Sequence, residues 1–410
     1  MERTKGEGKI MFAKDMVRLG SQRSVIRELF EYGNQRAKIV GKENVFDFSL
    51  GNPSIPAPDW VGETLEQLVQ TQSPIALHSY TSAQGSLEAR QAIAQDLNQR
   101  FGTNYTAEDF YLTAGAAAAL SACFKALTES PQDEFVAIAP YFPEYECFVK
   151  EGAGAEFRVV AAETTHFQID FEALQQCLTP NTKAVIVNSP NNPSGAVYTQ
   201  ETAVKLSQLL KQKSEEYGHP IFLISDEPYR EIVYDAATPF LPNFYPDTLV
   251  CYSWSKSLSL PGERIGYVLV PPNLTQAREA YAAICGAGRT LGYVNAPSLF
   301  QKVVAQANGK PVEVEAYRKN RDLLCEGLKK AGYQFAVPGG AFYLFPAVPG
   351  GDGEEFSRRA MKYDLLVVPG EGFGCPGHVR ISYCVAEDTI RRALPIFEEL
   401  MQEYRSEGIE

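Results

Sequence analysis

The run TLVCYSWSKSLSLPGERIGY holds the residues best suited to covalent chemistry. An apolar stretch delivers Ser253, Ser255 and then Lys256, and Arg264 lies eight positions on. An amine held beside an aldehyde condenses to an imine, and once displaced it can move a proton. A serine hydroxyl and the planar fork of an arginine both suit a phosphate. A lone lysine is ordinarily a solvated side chain. The spacing S-x-S-K followed by GERIGY argues for chemistry instead.

Three further runs end in residues that complement such a lysine. IFLISDEPYR closes an apolar stretch with Asp226, and Tyr229 follows three residues later. A carboxylate there is costly unless paired. The protonated pyridine nitrogen of pyridoxal 5'-phosphate (PLP) is a natural partner, because the pairing keeps the ring an electron sink. The plainer alternative is an Asp that caps the next segment. AVIVNSPNNPSG ends in Asn191, Asn192, Pro193 and Gly195. An Asn amide can hold the ring's 3-oxygen, or it can simply belong to an Asn-Pro turn. YLTAGAAAAL puts Gly115, Ala116 and Ala117 where a strand turns into a helix. Small residues let backbone N–H groups approach a phosphate at a helix N-terminus, although alanine also favours helix for its own sake.

Residues so placed need a sheet to present them. Short apolar runs at Asp109 to Leu112, Phe135 to Ala139, Phe157 to Ala161, Ala184 to Asn188, Ile221 to Ser225 and Thr248 to Tyr252 read as strands. Helical patterns cover Glu88 to Phe101, Gly115 to Leu127, Phe171 to Leu178 and Thr199 to Tyr217. Together they predict a mainly parallel sheet covered on both faces. Ligands of such sheets sit beyond the carboxyl ends of the strands. An amphipathic helix is expected from Arg23 to Val40, then a strand from Val45 to Leu50. The Gly- and Pro-dense loop GNPSIPAP follows, a plausible domain crossover. A charged helix from about Pro311 to Ala331 could bridge to a C-terminal α+β portion.

The chain has 410 residues, long for one core, so two domains are expected. A net charge of -12 disfavours nonspecific binding to nucleic acid or anionic membranes. The 8 cysteines form no CxxC pair and the 4 histidines are scattered, which suggests reduced thiols and gives little support for a zinc site. The first twenty residues lack the apolar core of a signal peptide, and no window has the length of a membrane span. A soluble cytoplasmic protein is expected.

The set of motifs, in order and spacing from LGNPSIPAP to VRISYC, resembles the aspartate aminotransferase family, class I/II aminotransferases of PLP fold type I. The resemblance implies an α/β fold. A large domain, residues 59–310, carries a mainly parallel seven-stranded sheet between helices. A smaller α+β domain is formed from both chain ends, residues 1–58 with 311–410. It implies a ping-pong aminotransferase acting on an L-amino acid and a 2-oxo acid, with PLP as cofactor. Lys256 then corresponds to the imine-forming lysine and Asp226 to the partner of the ring nitrogen. Tyr229 and Asn192 correspond to the pair on the 3-oxygen. Gly115, Ala116, Ala117, Ser253 and Arg264 correspond to the phosphate cup. Arg380 matches the arginine that binds the substrate α-carboxylate, and Gly51 the loop that closes over it. Phe142 stands where an aromatic ring stacks on the cofactor, with Tyr141 competing for the place. Tyr80 resembles a tyrosine that reaches the neighbouring subunit's site, which implies a homodimer.

The chain departs from the family pattern in three places. Ala117 stands where relatives often carry a hydroxyl, and Phe142 replaces a tryptophan. Thr290 occupies the position from which dicarboxylate-specific members present an arginine, with Arg289 one residue off. A second substrate carboxylate therefore lacks its usual reader. Two other functions compete. A PLP lyase shares the cofactor residues and differs only in the fate of the carbanion. A non-catalytic PLP-binding regulator needs a DNA-binding domain, for which the stretch before Gly51 is small. A Rossmann dehydrogenase fails because no strand is followed by GxGxxG.

Overall fold

The computed structural model describes residues 11–21, 25–235 and 237–409. The first ten residues and Arg23, where the first long helix was expected to begin, lie outside the described residues. That helix is described from Val25 to Val40. Strand β1 (Phe46–Asp47) follows and pairs in parallel with β10 (Leu365–Leu366). It is shorter than the predicted Val45 to Leu50. The Asp47 carboxylate accepts from the backbone N–H and hydroxyl of Ser49, which turns the chain out of the strand.

Seven strands then build the main sheet. They are β2 (Phe110–Thr113), β3 (Glu134–Ile138), β4 (Glu156–Val160), β5 (Thr182–Asn188), β6 (Phe222–Asp226), β7 (Thr248–Ser253) and β8 (Gly266–Leu269). Their order is β2-β8-β7-β6-β5-β3-β4. β8 runs antiparallel to both β2 and β7, and the other pairings are parallel. β8 is not among the strands expected from the apolar runs. It is four residues long and opens on a glycine at the end of the GERIGY motif.

Alternate residues of each central strand point to opposite faces. In β5, Ala184 and Ile186 pack with the helices Gly115–Leu127 and Ala277–Thr290. Val185 and Val187 pack with the helices Phe171–Cys177 and Gln200–Tyr217. With both faces covered, the strands read as continuous apolar runs.

A separate apolar cluster joins the two ends of the chain. It includes Phe48, the helix Glu315–Ala331, the helix Glu387–Ser406 and strand β9 (Tyr343–Leu344). β11 (Val368–Pro369) and β9 flank β12 (Val379–Ser382) in a three-stranded antiparallel sheet. Among the described residues no helix is long and apolar enough to cross a membrane, and no cluster of His, Cys, Asp or Glu could hold a metal ion.

Candidate active site

Register determines which side chains meet. Asn188 pairs with Asp226 across β5 and β6, and Asp226 with Cys251 across β6 and β7, so three strands end side by side. Thr113 of β2 and Ser253 of β7 both lie opposite Gly266 of β8. The loops leaving these strands surround a cleft of about 280 Å³.

Asp226 closes β6 and is 4% exposed. Its Oδ2 accepts a hydrogen bond of 2.5 Å from the Tyr145 hydroxyl, while its buried Oδ1 has no partner among the described residues. Burial pushes this carboxyl up to about 7, helped by the adjacent Glu227 and opposed by the Tyr145 bond. Lys256 lies just past β7, with Nζ donating to the Gly51 carbonyl at 2.6 Å. Burial lowers its amine to about 8, and the positive fields of Arg380 and Arg264 act in the same direction. Gly51 has to be a glycine, because a Cβ there would stand 1.9 Å from the Tyr343 hydroxyl.

The far end of the cleft suits an anion. Ala116 and Ala117 line it from the first turn of the helix Gly115–Leu127, which has no side-chain cap. Uncapped N–H groups and the helix dipole favour negative charge there. Gly115 has φ +81, and a Cβ on it would press on the Arg264 guanidinium at 2.6 Å. Arg264 sits at the exposed rim, bonded to the carbonyls of Pro261 and Ala114. Ser253 donates to Ser255 at 3.1 Å, and both line the cleft.

On the opposite wall, Arg380 is 2% exposed. It donates to Asn192 Oδ1 at 2.9 Å and to the Ser49 carbonyl at 2.5 Å, and its Nε has no partner among the described residues. Its guanidinium lies 4.8 Å from the Tyr343 ring centre and 5.0 Å from that of Phe373. Asn192 is held by the Asn188 side chain, which accepts from the Asn192 N–H and donates to the Asp226 carbonyl. The Tyr229 hydroxyl is 2.9 Å from that of Tyr343. Phe142 lines the cleft, whereas Tyr141 packs against Phe157.

The cleft therefore gathers Gly51, Ala116, Ala117, Phe142, Asn192, Asp226, Tyr229, Ser253, Lys256, Arg264 and Arg380. Gly115 joins them through Arg264. Tyr80 stands apart, 84% exposed, next to Thr81, which accepts from Asn295. Arg289 and Thr290 are exposed at the end of their helix, outside the cleft lining. Sequence reasoning missed Tyr145, Asn188 and Tyr343. Asn188 had a legible signal, since it ends β5 as Asp226 ends β6. Tyr145 and Tyr343 had none, because each meets the site from a distant segment.

Comparison with known proteins identifies the fold and the family. The family model "Aminotransferase class I and II" matches residues 43–397. A probable aspartate/prephenate aminotransferase of Thermus aquaticus is 31% identical, over 90% of this chain and 95% of its own. The crystal structure of an aminotransferase from Eubacterium rectale superposes with a TM-score of 0.94 at 56% identity, covering 96% of this chain and 99% of that one. The Thermus thermophilus aspartate aminotransferase solved with maleate gives 0.82 at 27% identity, covering 95% and 100%. The fold is thus that of the PLP-dependent enzymes of fold type I, and the chain belongs to the class I and II aminotransferases, a family of PLP-dependent transaminases.

Proposed function

We propose that this cleft holds PLP on Lys256 and that the chain transfers amino groups between an L-amino acid and a 2-oxo acid in two half-reactions. The observation that carries this reading is the buried, unpartnered Oδ1 of Asp226 in the same cleft as the Lys256 amine. An acceptor left without a partner in a buried site fits a donor on the ligand. The remaining donors fit the other parts of the same molecule. The helix N-terminus at Ala116 and Ala117, Ser253, Ser255 and Arg264 suit its phosphate. Tyr229 and Asn192 suit its 3-oxygen, and Phe142 supplies a ring for its face.

Bound PLP supplies an aldehyde carbon that takes an amine and a ring that accepts the electron pair left when Cα loses its proton. Asp226 would hold the ring-nitrogen end of the group and balance its charge, an interaction that burial strengthens. Lys256, lowered to about 8, is about half neutral amine near that pH, far more than an ordinary lysine. Its Nζ would take up and return the substrate Cα proton. Arg380 offers a fork to the substrate α-carboxylate, and Gly51 leaves room above it. We further propose a cytoplasmic homodimer, with the exposed Tyr80 reaching the neighbouring cleft, and a small domain made of residues 1–58 and 311–410.

The test is reconstitution with PLP, borohydride reduction and peptide mapping, followed by a donor screen with 2-oxoglutarate and pyruvate as acceptors. Label on Lys256 and conversion to the pyridoxamine form are expected. Label on another residue would sink the assignment of Lys256. Release of pyruvate and ammonia without an acceptor would point to elimination.

A further inference from the structure

We infer that Tyr343 is a positioning residue, a second phenol whose hydroxyl sets how strongly Tyr229 donates into the cleft. The inference rests on the reading of Tyr229 given above. Tyr343 sits at the start of β9, 2% exposed, and lines the cleft. Its hydroxyl lies 2.9 Å from that of Tyr229, which is 4% exposed. The Gly51 side of Tyr343 leaves no space for even a methyl group, so the hydroxyl is held in place.

The direction of the bond follows from the neighbours. The Arg380 guanidinium lies 4.8 Å from the Tyr343 ring centre. A cation over a phenol ring makes its O–H the better donor. Burial raises both phenols, Tyr343 to about 12 and Tyr229 well beyond its ordinary value. With the Arg380 guanidinium against its ring, Tyr343 is the phenol placed to donate to the Tyr229 oxygen. The single proton of Tyr229 is then left to point into the cleft. A hydroxyl that accepts one bond donates the next more strongly. The other ionisable groups facing this pair are Asp226, Arg380 and Tyr145 at Tyr229, and Arg380 and Cys384 at Tyr343. Lys256 reaches the same place through the Gly51 carbonyl.

The experiment is a pH titration of the visible absorbance of the cofactor-loaded protein in four forms: parent, Y343F, Y229F and the double variant. Phenylalanine keeps the ring against Arg380 and removes only the hydroxyl. A weaker Tyr229 donor stabilises the deprotonated 3-oxygen less, so the midpoint in Y343F should rise by about 0.5 pH unit. In the Y229F background the same change should add nothing, because the route is gone. Tyr343→Leu, which also lacks the hydroxyl, should shift the midpoint the same way if the phenylalanine variant is poorly soluble. An unchanged midpoint in Y343F overturns the inference alone, as does a shift that persists without the Tyr229 hydroxyl. A parent protein that shows no absorbance band after reconstitution overturns the cofactor reading together with it.

Discussion

Two neighbouring carboxylates at the end of β6 have opposite surroundings. Asp226 and Glu227 are each 4% exposed. Glu227 is fully engaged. It accepts from the Ser225 hydroxyl at 2.6 Å and from Arg230 Nε at 2.5 Å. Arg230 in turn donates to the Tyr267 hydroxyl and lies 4.5 Å from the Tyr252 ring centre. Asp226 has one oxygen held by Tyr145 and the other bare. Asp226 ends β6 and Glu227 follows it; adjacent extended residues face opposite sides, so Glu227 enters an ion pair and Asp226 enters the cleft. Burial alone therefore does not mark a functional acid. What separates Asp226 from Glu227 is a bare oxygen in the same cleft as the Lys256 amine.

The contrast is sharpest in paired variants. Asp226→Asn should lower kcat/KM about 10³-fold, the scale of losing one pre-set electrostatic contact. Glu227→Gln should leave turnover per folded molecule within about threefold while costing about 3 kcal/mol of stability, because Arg230 stays buried without its counter-charge. Urea unfolding and steady-state kinetics on both proteins measure the crossing. Equal losses in both would break the comparison.

Acid–base linkage probes the same difference without altering Glu227. Asp226 is raised to about 7 in the cofactor-free fold, against an ordinary carboxyl near 4 when unfolded. The folded state then holds an extra proton between those values. Stability from this group is present below pH 4 and is lost as pH rises through 7, by on the order of 2–4 kcal/mol. The loss should vanish in Asp226→Asn, as urea midpoints between pH 4 and 8 would record. The smallest expected effect is that of Tyr145→Phe. Removing its bond to Asp226 should cost about 1 kcal/mol in turnover or cofactor affinity, measured by titration with PLP.

The cleft was legible where one strand carried its own signal. Asp226, Lys256 and Asn192 follow short apolar runs, and parallel strands bring their carboxyl ends to one edge. The helix Gly115–Leu127 was read from its composition, and it lies as expected. What escaped were contacts made across the fold. Tyr145 meets Asp226 from 81 residues away, and Tyr343 meets Tyr229 from 114. Nothing local in APYFPEY or GAFYLF announces either bond. Arg380 was found through family resemblance, since an arginine between Val379 and Ile381 could equally have been a salt bridge at the edge of the core. β8 was hidden because a short strand opening on glycine looks like part of a turn.

That reversed strand has a further consequence. Because β8 runs back beside β7, the connection from Trp254 to Ile265 leaves and re-enters the sheet at one edge, carrying Lys256 and Arg264. A ligand gripped by both would stitch that segment shut and shield it from proteases. Limited proteolysis between Trp254 and Ile265 should therefore slow when PLP is added.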